Sequence, residues 1–146
     1  KIEEKELDYI QNFPDNIPQI ELDRDKLKRI LVNLVGNAVK FTDKGFIKVV
    51  LNLTNRRTVE NQRYVDLEFK VEDTGMGVDK KEQERIFEPF SQQTDQDSAK
   101  YGGTGLGLAI SKQLVEEMNG EIHLQNKDSS GSIFSFILKG VAIHEE

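Results

Sequence analysis

The sequence contains no cysteine, which excludes a disulfide framework, a thiolate zinc site and a cysteine nucleophile. Histidine is scarce: the 2 in the chain, His123 and His144, are too few for a multi-histidine metal site. No apolar run approaches the roughly 20 residues of a membrane-crossing helix. No charged segment followed by an apolar one opens the chain in the manner of a secretory signal. A basic excess is also missing. Lys and Arg total 20 against 26 Asp and Glu, a net charge of −6, which argues against a general nucleic-acid or anionic-membrane binder. No internal repeat or low-complexity tract is visible. What is present is 146 residues, enough for one domain with its own core, and a single domain over 1–146 is expected. The hydrophobic content is a modest 36%, but its ordered patterning excludes disorder. The first residue is Lys rather than Met, so the chain is expected to be cut from a longer one.

Leu7 to Phe13 reads as a partly alternating strand, stopped by Pro14 and Pro18. Asp23 is a natural N-cap for a helix from about Arg24 to Phe41. Its residues Leu27, Ile30, Leu31, Leu34 and Ala38 follow i, i+3, i+4, i+7 and i+11, one face of a helix. Thr42 to Gly45 reads as a turn, Phe46 to Leu53 as a strand, Asn55 to Arg63 as a polar hairpin loop. Tyr64 to Asp73 is a second, strongly alternating strand that runs into the glycine-rich turn Asp73-Thr74-Gly75-Met76-Gly77. Asp79 with Glu82 forms a capping box for a short helix ending before Pro89. Ser91 to Tyr101 is a polar, mobile loop. Gly102-Gly103-Thr104-Gly105 opens a helix to about Asn119, with Gly120 as its C′ residue. Glu121 to Gln125 and Ser132 to Lys139 form a closing hairpin around Asp128-Ser129-Ser130-Gly131. The pattern predicts an α/β (α+β) two-layer sandwich: a mixed, mostly antiparallel sheet with one solvated face and helices packed on the other.

Four pieces carry chemistry. On the long helix, Asn33, Asn37 and Lys40 lie at roughly 0°, 40° and −20°, while the apolar stripe centres near roughly 110°. Two amides and an ammonium therefore line a strip at the rim of the core. Asn is a poor interior helix residue, because its side chain competes for backbone hydrogen bonds. Such a strip is either a solvated face with two tolerated Asn or a set of amide oxygens for a hard cation such as Mg²⁺, with Lys40 placed to meet a phosphate. Next, the strand parity that puts Val65, Leu67, Phe69 and Val71 on one side puts Asp73 on that same apolar side. An inward carboxylate needs partners. It is either a turn-forming Asp or a ligand acceptor, and Gly75 and Gly77 let a flat ligand approach the backbone. Third, Gly103-Thr104-Gly105-Leu106-Gly107-Leu108 enters a helix, and successive N–H groups at a helix start attract anions. The alternative is a flexible lead into an ordinary helix. The phosphate-loop and dinucleotide patterns do not fit it. Fourth, Phe87-Glu88-Pro89-Phe90 reads by itself as a short proline-stopped helix with two core phenylalanines.

In this order and spacing, the four pieces resemble the catalytic, ATP-binding domain of the histidine kinases of two-component signalling. Asn33-Leu34-Val35-Gly36-Asn37-Ala38-Val39-Lys40-Phe41-Thr42 is similar to that family's Asn-rich helix, and Asp73 to Gly77 to its first glycine box. Phe87-Glu88-Pro89-Phe90 is similar to its phenylalanine box, and Gly103 to Ser111 to its second glycine box. The resemblance spans about residues 5–139. It implies a Bergerat-type sandwich holding ATP between the Asn helix and a lid at about 91–102, with a short tail at 140–146. It also implies residue roles. Asn37 coordinates Mg²⁺ with Asn33 in support, and Lys40 reaches the phosphates. Asp73 accepts from the adenine amino group, and Gly75 and Gly77 make room for the base. Arg85 and Lys100 resemble phosphate-contacting basic residues, with Arg85 counted beside Asn37 and Lys40 in catalysis. Gly103, Gly105 and Gly107, with Thr104 and Leu106 between them, shape the lid hinge and the phosphate-facing backbone.

The resemblance implies donation of the ATP γ-phosphoryl group to a histidine on a dimerisation domain of the same protein, and indirectly to a response regulator. Neither His123, on a strand, nor His144, in the tail, resembles an acceptor, so the acceptor helices are expected upstream of residue 1. A monomeric isolated domain, a homodimeric parent, a cytoplasmic location without direct membrane contact and no nucleic-acid partner complete the expectation; the parent itself is open to anchoring in the inner membrane. Arg29 stands where the family usually has Gln, Asn119 where Gly is frequent, Asn126 at a common Ser position, and Lys139-Gly140 in place of Leu-Pro. Other readings remain open at this point: an ATP hydrolase or conformational clamp of the same superfamily, a non-catalytic nucleotide-binding module, and a serine-directed relative. The hydrolases place a Glu one helical turn before the metal-binding Asn. Asn33 stands there instead, and an amide takes no proton at neutral pH.

Overall fold

The computed structural model describes residues 6–42, 44–75, 107–126 and 131–144. The order of elements is β1 (Glu6–Asn12), β2 (Gln19–Ile20), α1 (Arg24–Phe41), β3 (Lys44–Val59), β4 (Gln62–Asp73), α2 (Gly107–Glu117), β5 (Gly120–Asn126) and β6 (Ser132–His144). The capping-box helix after Asp79, the phenylalanine box, the lid at 91–102 and the loop residues 128–130 lie outside the described residues.

The strands form a mixed sheet in the order β1-β3-β4-β6-β2, with β5 also paired to β6. Only β1 and β3 run parallel among these pairs. Cross-strand partners share a face of a sheet. Val49 lies opposite Val71 and Leu51 opposite Phe69, while Phe69 faces Phe136 and Leu67 faces Leu138. This face is the buried one, and Ile30, Leu34 and Ala38 of α1 and Leu108, Leu114 and Val115 of α2 complete the core against it. The Phe69 and Phe136 rings stack with centroids 5.0 Å apart. Truncating a fully buried Leu such as Leu34 to Ala costs about 2–5 kcal/mol in a core of this kind. The expected two-layer sandwich is therefore the observed architecture.

Helix α1 begins and ends where the sequence predicts. Asp23 accepts from the Lys26 amide at 3.1 Å as its N-cap. The helices run antiparallel: Lys26 in the first turn of α1 pairs with Glu117 at the end of α2 at 2.9 Å. That pairing raises the Lys26 pKa and lowers that of Glu117.

Four local expectations are corrected. The polar segment 55–63 is not a loop: β3 runs to Val59 and β4 starts at Gln62, leaving a two-residue turn. Glu60 and Asn61 both have positive φ, 50° and 70°, the conformation a tight hairpin of matching twist requires. Lys44 and Gly45, read as turn, already pair with Glu6 and Leu7 of β1. The left-handed C′ residue of α2 is Asn119, at φ 63°, not Gly120. Gly120 is needed for a different reason, since a Cβ there would run into the Ile137 carbonyl oxygen of β6. Finally, residues 140–144 are not a tail. They continue β6, where Val141 pairs with Val65 and Ile143 with Ile20. His144 ends that strand with its Nε2 2.9 Å from Glu21 Oε1. The short strand β2 after Pro18 has no counterpart in the sequence reading.

Candidate functional site

The strip on α1 sits where its angles predict. Ile30, Leu34 and Ala38 are fully buried, while Asn33 and Asn37 beside them are half-buried and Lys40 is exposed. Asn37 follows Asn33 by one turn, about 6 Å along the axis. Asn33 also reaches out of its own helix: its Nδ2 donates to the Gly107 carbonyl at 3.3 Å. The Ser111 hydroxyl, fully buried, donates to the same oxygen at 3.0 Å. A carbonyl oxygen has two lone pairs, so both bonds fit at once. The strip is thereby tied to the first turn of α2, where the second glycine box ends.

Asp73 ends β4 on the core face, opposite Ile47 on one side and Ser132 on the other. It is 4% exposed, against 0% for Ile47 and 4% for Ser132. Strand parity alone placed it inward, and it is inward. Its Oδ1 accepts from the Gly75 amide at 2.9 Å. A carboxylate offers about four acceptor sites, so it can accept from Gly75 and from a ligand amine together. Thr74, between them, turns back to β3: its Oγ1 accepts from Phe46 N–H at 3.1 Å and donates to the Lys44 carbonyl at 3.0 Å.

Asn33, Asn37, Lys40, Asp73, Gly75 and Gly107 are the expected site residues that the structure describes. Gly77, Arg85, Lys100, Gly103, Thr104, Gly105 and Leu106 lie outside the described residues. The described part supplies a buried carboxylate at a strand end and two rim amides on α1, of which Asn33 is bonded to the first residue of α2. These suit a flat base with an exocyclic amine and a hard cation shared with phosphates. Among the described residues no three His, Cys, Asp or Glu stand together as a metal cluster. Amide oxygens such as those of Asn33 and Asn37 are the kind of oxygen donor that a hard cation accepts beside phosphates and water. A separate hollow of about 500 Å³ lies at the other end of the helices, against Lys26, Glu117, Asn119 and Lys139, and contains none of the expected site residues.

The sequence reading missed a second buried carboxylate. Asp66 is 9% exposed and sits where the registers of β4 with both β3 and β6 shift by a bulge. It accepts from the Gly140 amide at 2.9 Å, from Asn55 Nδ2 at 3.2 Å and from Arg57 Nη1 at 3.3 Å. Asn55 and Gly140 both have positive φ, 53° and 65°. Burial pushes the Asp66 carboxyl up, but the three donors and the Arg57 charge outweigh it and hold the group below the usual aspartate value. An Asn and a Gly inside strand-forming stretches were the available signals of these bulges. The cluster is structural: it locks the far end of the sheet.

A family model described as histidine kinase-, DNA gyrase B- and HSP90-like ATPase matches residues 22–141, most of the chain. The chain belongs to this ATPase family. Within it, the similar curated proteins are histidine kinases. Hybrid signal transduction histidine kinase K of Dictyostelium discoideum is 41% identical over 141 residues, covering 92% of this chain and 12% of that protein. Signal transduction histidine-protein kinase BarA of Escherichia coli K12 is 38% identical over 134 residues, covering 91% of this chain and 14% of that protein. The chain thus spans a small fraction of the length of the curated relatives it matches. Among solved structures, full-length ShkA in complex with AMPPNP matches with a TM-score of 0.78 and 31% identity over 99% of this chain and 27% of that one. The nucleotide-free catalytic domain of histidine kinase ThkA matches with a TM-score of 0.74 and 27% identity, over 95% and 82%. The α+β sandwich of this ATPase domain is accordingly the fold of histidine-kinase catalytic domains.

Proposed function

We propose that this ATPase-family domain binds Mg-ATP and donates the γ-phosphoryl group to a histidine on a separate dimerisation and phosphoacceptor domain. Its phosphoryl group would pass indirectly to a response regulator. The observation that carries the reading is Asn33. One turn before Asn37, where a water-activating carboxylate would stand in a hydrolase, the side chain is an amide with its N–H₂ engaged by Gly107. Such a group can hold and orient but cannot take a proton from water. The assignment of the base to Asp73, supported by its burial at the strand end, belongs to the same proposal.

Bound Mg²⁺ would neutralise charge on the triphosphate, with Asn37 and Asn33 offering it amide oxygens. Lys40, exposed on the same strip, is proposed to meet the phosphates, as are Arg85 and Lys100. In the transfer, the acceptor imidazole nitrogen bonds to the γ-phosphorus. The bond to the bridging β,γ oxygen breaks, ADP leaves, and the phosphorylated ring sheds its N–H proton. Positioning and charge stabilisation are the donor domain's main tasks in phosphoryl transfer. We place the domain on the cytoplasmic side of a homodimeric parent, monomeric when isolated. No helix among the described residues is long and apolar enough to cross a membrane.

The test pairs two measurements. Phosphate release by the chain alone under saturating Mg-ATP should be very slow. Adding a dimeric helical domain with an acceptor histidine should give acid-labile, alkali-stable phosphohistidine, lost when that histidine is replaced. Release near the roughly 1–100 s⁻¹ of kinases on their true substrates would show water to be the intended acceptor and overturn the reading.

A further inference from the structure

The pairing of β3 with β4 runs through Lys48 with Glu72 and Ile47 with Asp73. The next step in register sets Phe46 against Thr74, and there a side chain takes over the ladder. The Thr74 hydroxyl accepts from the Phe46 amide at 3.1 Å and donates to the Lys44 carbonyl at 3.0 Å. One hydroxyl can make both bonds, having one donor hydrogen and two acceptor lone pairs. The backbone of Thr74 is therefore held off β3 by the length of a side chain, and the chain turns. The Gly75 amide folds back to Asp73 Oδ1 at 2.9 Å. The neighbouring strand is shaped to admit this hydroxyl. Gly45 has φ +114°, a conformation that side chains with a Cβ rarely adopt, and a Cβ there would overlap Thr74 Oγ1. The two residues form a latch: a glycine on β3 that leaves room, and a hydroxyl after β4 that fills it.

We propose that Thr74 is a positioning residue for nucleotide selection: its latch on Lys44 and Phe46 sets where the chain leaves β4, and so fixes the direction in which the Asp73 carboxylate meets the base. The inference rests on the proposed role of Asp73 and goes beyond it. Asp73 is the last residue of β4, paired with Ile47, and its carboxylate is bonded to the Gly75 amide of the turn that follows. A shift of that turn moves the acceptor directly. A hydrogen bond to a buried carboxylate depends steeply on angle, so loss of the latch should weaken recognition of an amine before it unfolds the domain.

The experiment measures Mg-ATP and Mg-GTP affinities by calorimetry, with melting temperatures, on the 146-residue chain and its variants. Thr74→Val keeps the shape and removes the hydroxyl. It should lower ATP affinity by about tenfold, the equivalent of one well-placed hydrogen bond, with little change for GTP, so the ATP-to-GTP ratio falls. Thr74→Ser keeps the hydroxyl and should restore the ratio. Gly45→Ala disturbs the latch from the β3 side, leaves Thr74 in place, and should lower the ratio as Val does; it decides the matter if Thr74→Val does not fold. Asp73→Asn separates the two layers of the argument. If Asp73→Asn leaves the ratio intact, the role of Asp73 and the inference fall together. If Asp73→Asn collapses the ratio while Thr74→Val and Gly45→Ala change only the melting temperature, the latch is structural and the inference alone is overturned.

Discussion

Asn33 of α1 donates to the carbonyl of Gly107, the first residue of α2, across 3.3 Å. The bond joins the helix that carries the rim amides to Gly107, the last glycine of the Gly103–Ser111 segment. Ser111 holds the same carbonyl from within α2 at 3.0 Å. The far ends of the two helices are joined by Lys26 and Glu117 at 2.9 Å. These two ties connect the helices at both ends of their contact and fix Asn33 relative to the start of α2.

Asn33→Ala tests this tie. It removes the donor to the Gly107 carbonyl and the amide oxygen together, and adds no charge near the phosphates. ADP affinity should fall about three- to tenfold, the loss of one neutral hydrogen bond. Calorimetry with the metal chelated by EDTA checks the cause. A tether acts without metal, so the loss should persist; a loss that appears only with Mg²⁺ would make Asn33 a ligand and nothing more.

Asn37→Ala removes a proposed metal oxygen from the rim of the core. Phosphotransfer to an acceptor domain should become undetectable while the melting temperature changes little, because the core residues Leu34 and Ala38 stay packed. Normal transfer by the variant would remove the metal assignment from Asn37.

Asp73, inward-facing and bonded to Gly75, should favour a base that presents an amine. The chain should bind ATP and ADP with Mg²⁺ and ignore GTP, whose base presents a carbonyl at that position. Two buried acceptors facing each other cost about 1–3 kcal/mol, enough for roughly a 5- to 150-fold preference. Equal affinities by calorimetry would remove Asp73 from base recognition.

Asp66 gives the fold an acid-sensitive point. Its carboxyl is held below the usual aspartate value in the folded chain, so its contribution is present above the unfolded value of about 3.9 and lost as pH falls through the lower folded one. Asp66→Asn should therefore be less stable than wild type at neutral pH, by about 1–3 kcal/mol, with the gap narrowing below about pH 4. Denaturant titrations at neutral and acidic pH measure both terms. A gap that is constant with pH would show that the charge on Asp66 does not matter to the bulges.

Much of the fold was legible in the sequence, because periodicity is a local consequence of burial. The 3.6-residue spacing of Leu27, Ile30, Leu34 and Ala38 and the cap at Asp23 placed α1 from Arg24 to Phe41, as observed. The alternation from Val65 to Val71 by itself placed Asp73 inward, where it is found. The misread segments are those whose local signal is polar. Residues 57–59 and 62–63 are strand because they pair across the hairpin beyond a bulge at Asn55 and Arg56, Arg57 with Tyr64, Thr58 with Arg63 and Val59 with Gln62, not because their side chains alternate. Residues 140–144 are strand because β2 and β4 flank them.

The division between sequence and structure follows from the range of the forces involved. Helix periodicity, capping and strand parity act within a few residues, so the chain by itself determined α1, the inward turn of Asp73 and the rim placement of Asn33 and Asn37. The resemblance of its four motifs to histidine kinases was equally a property of the chain. What the tertiary structure alone decided are contacts between residues distant in sequence: Asn33 with Gly107, Thr74 with Gly45 and Lys44, and Asp66 with Gly140. Each joins a polar group to a backbone atom of another element, and no local pattern encodes which element folding will bring there.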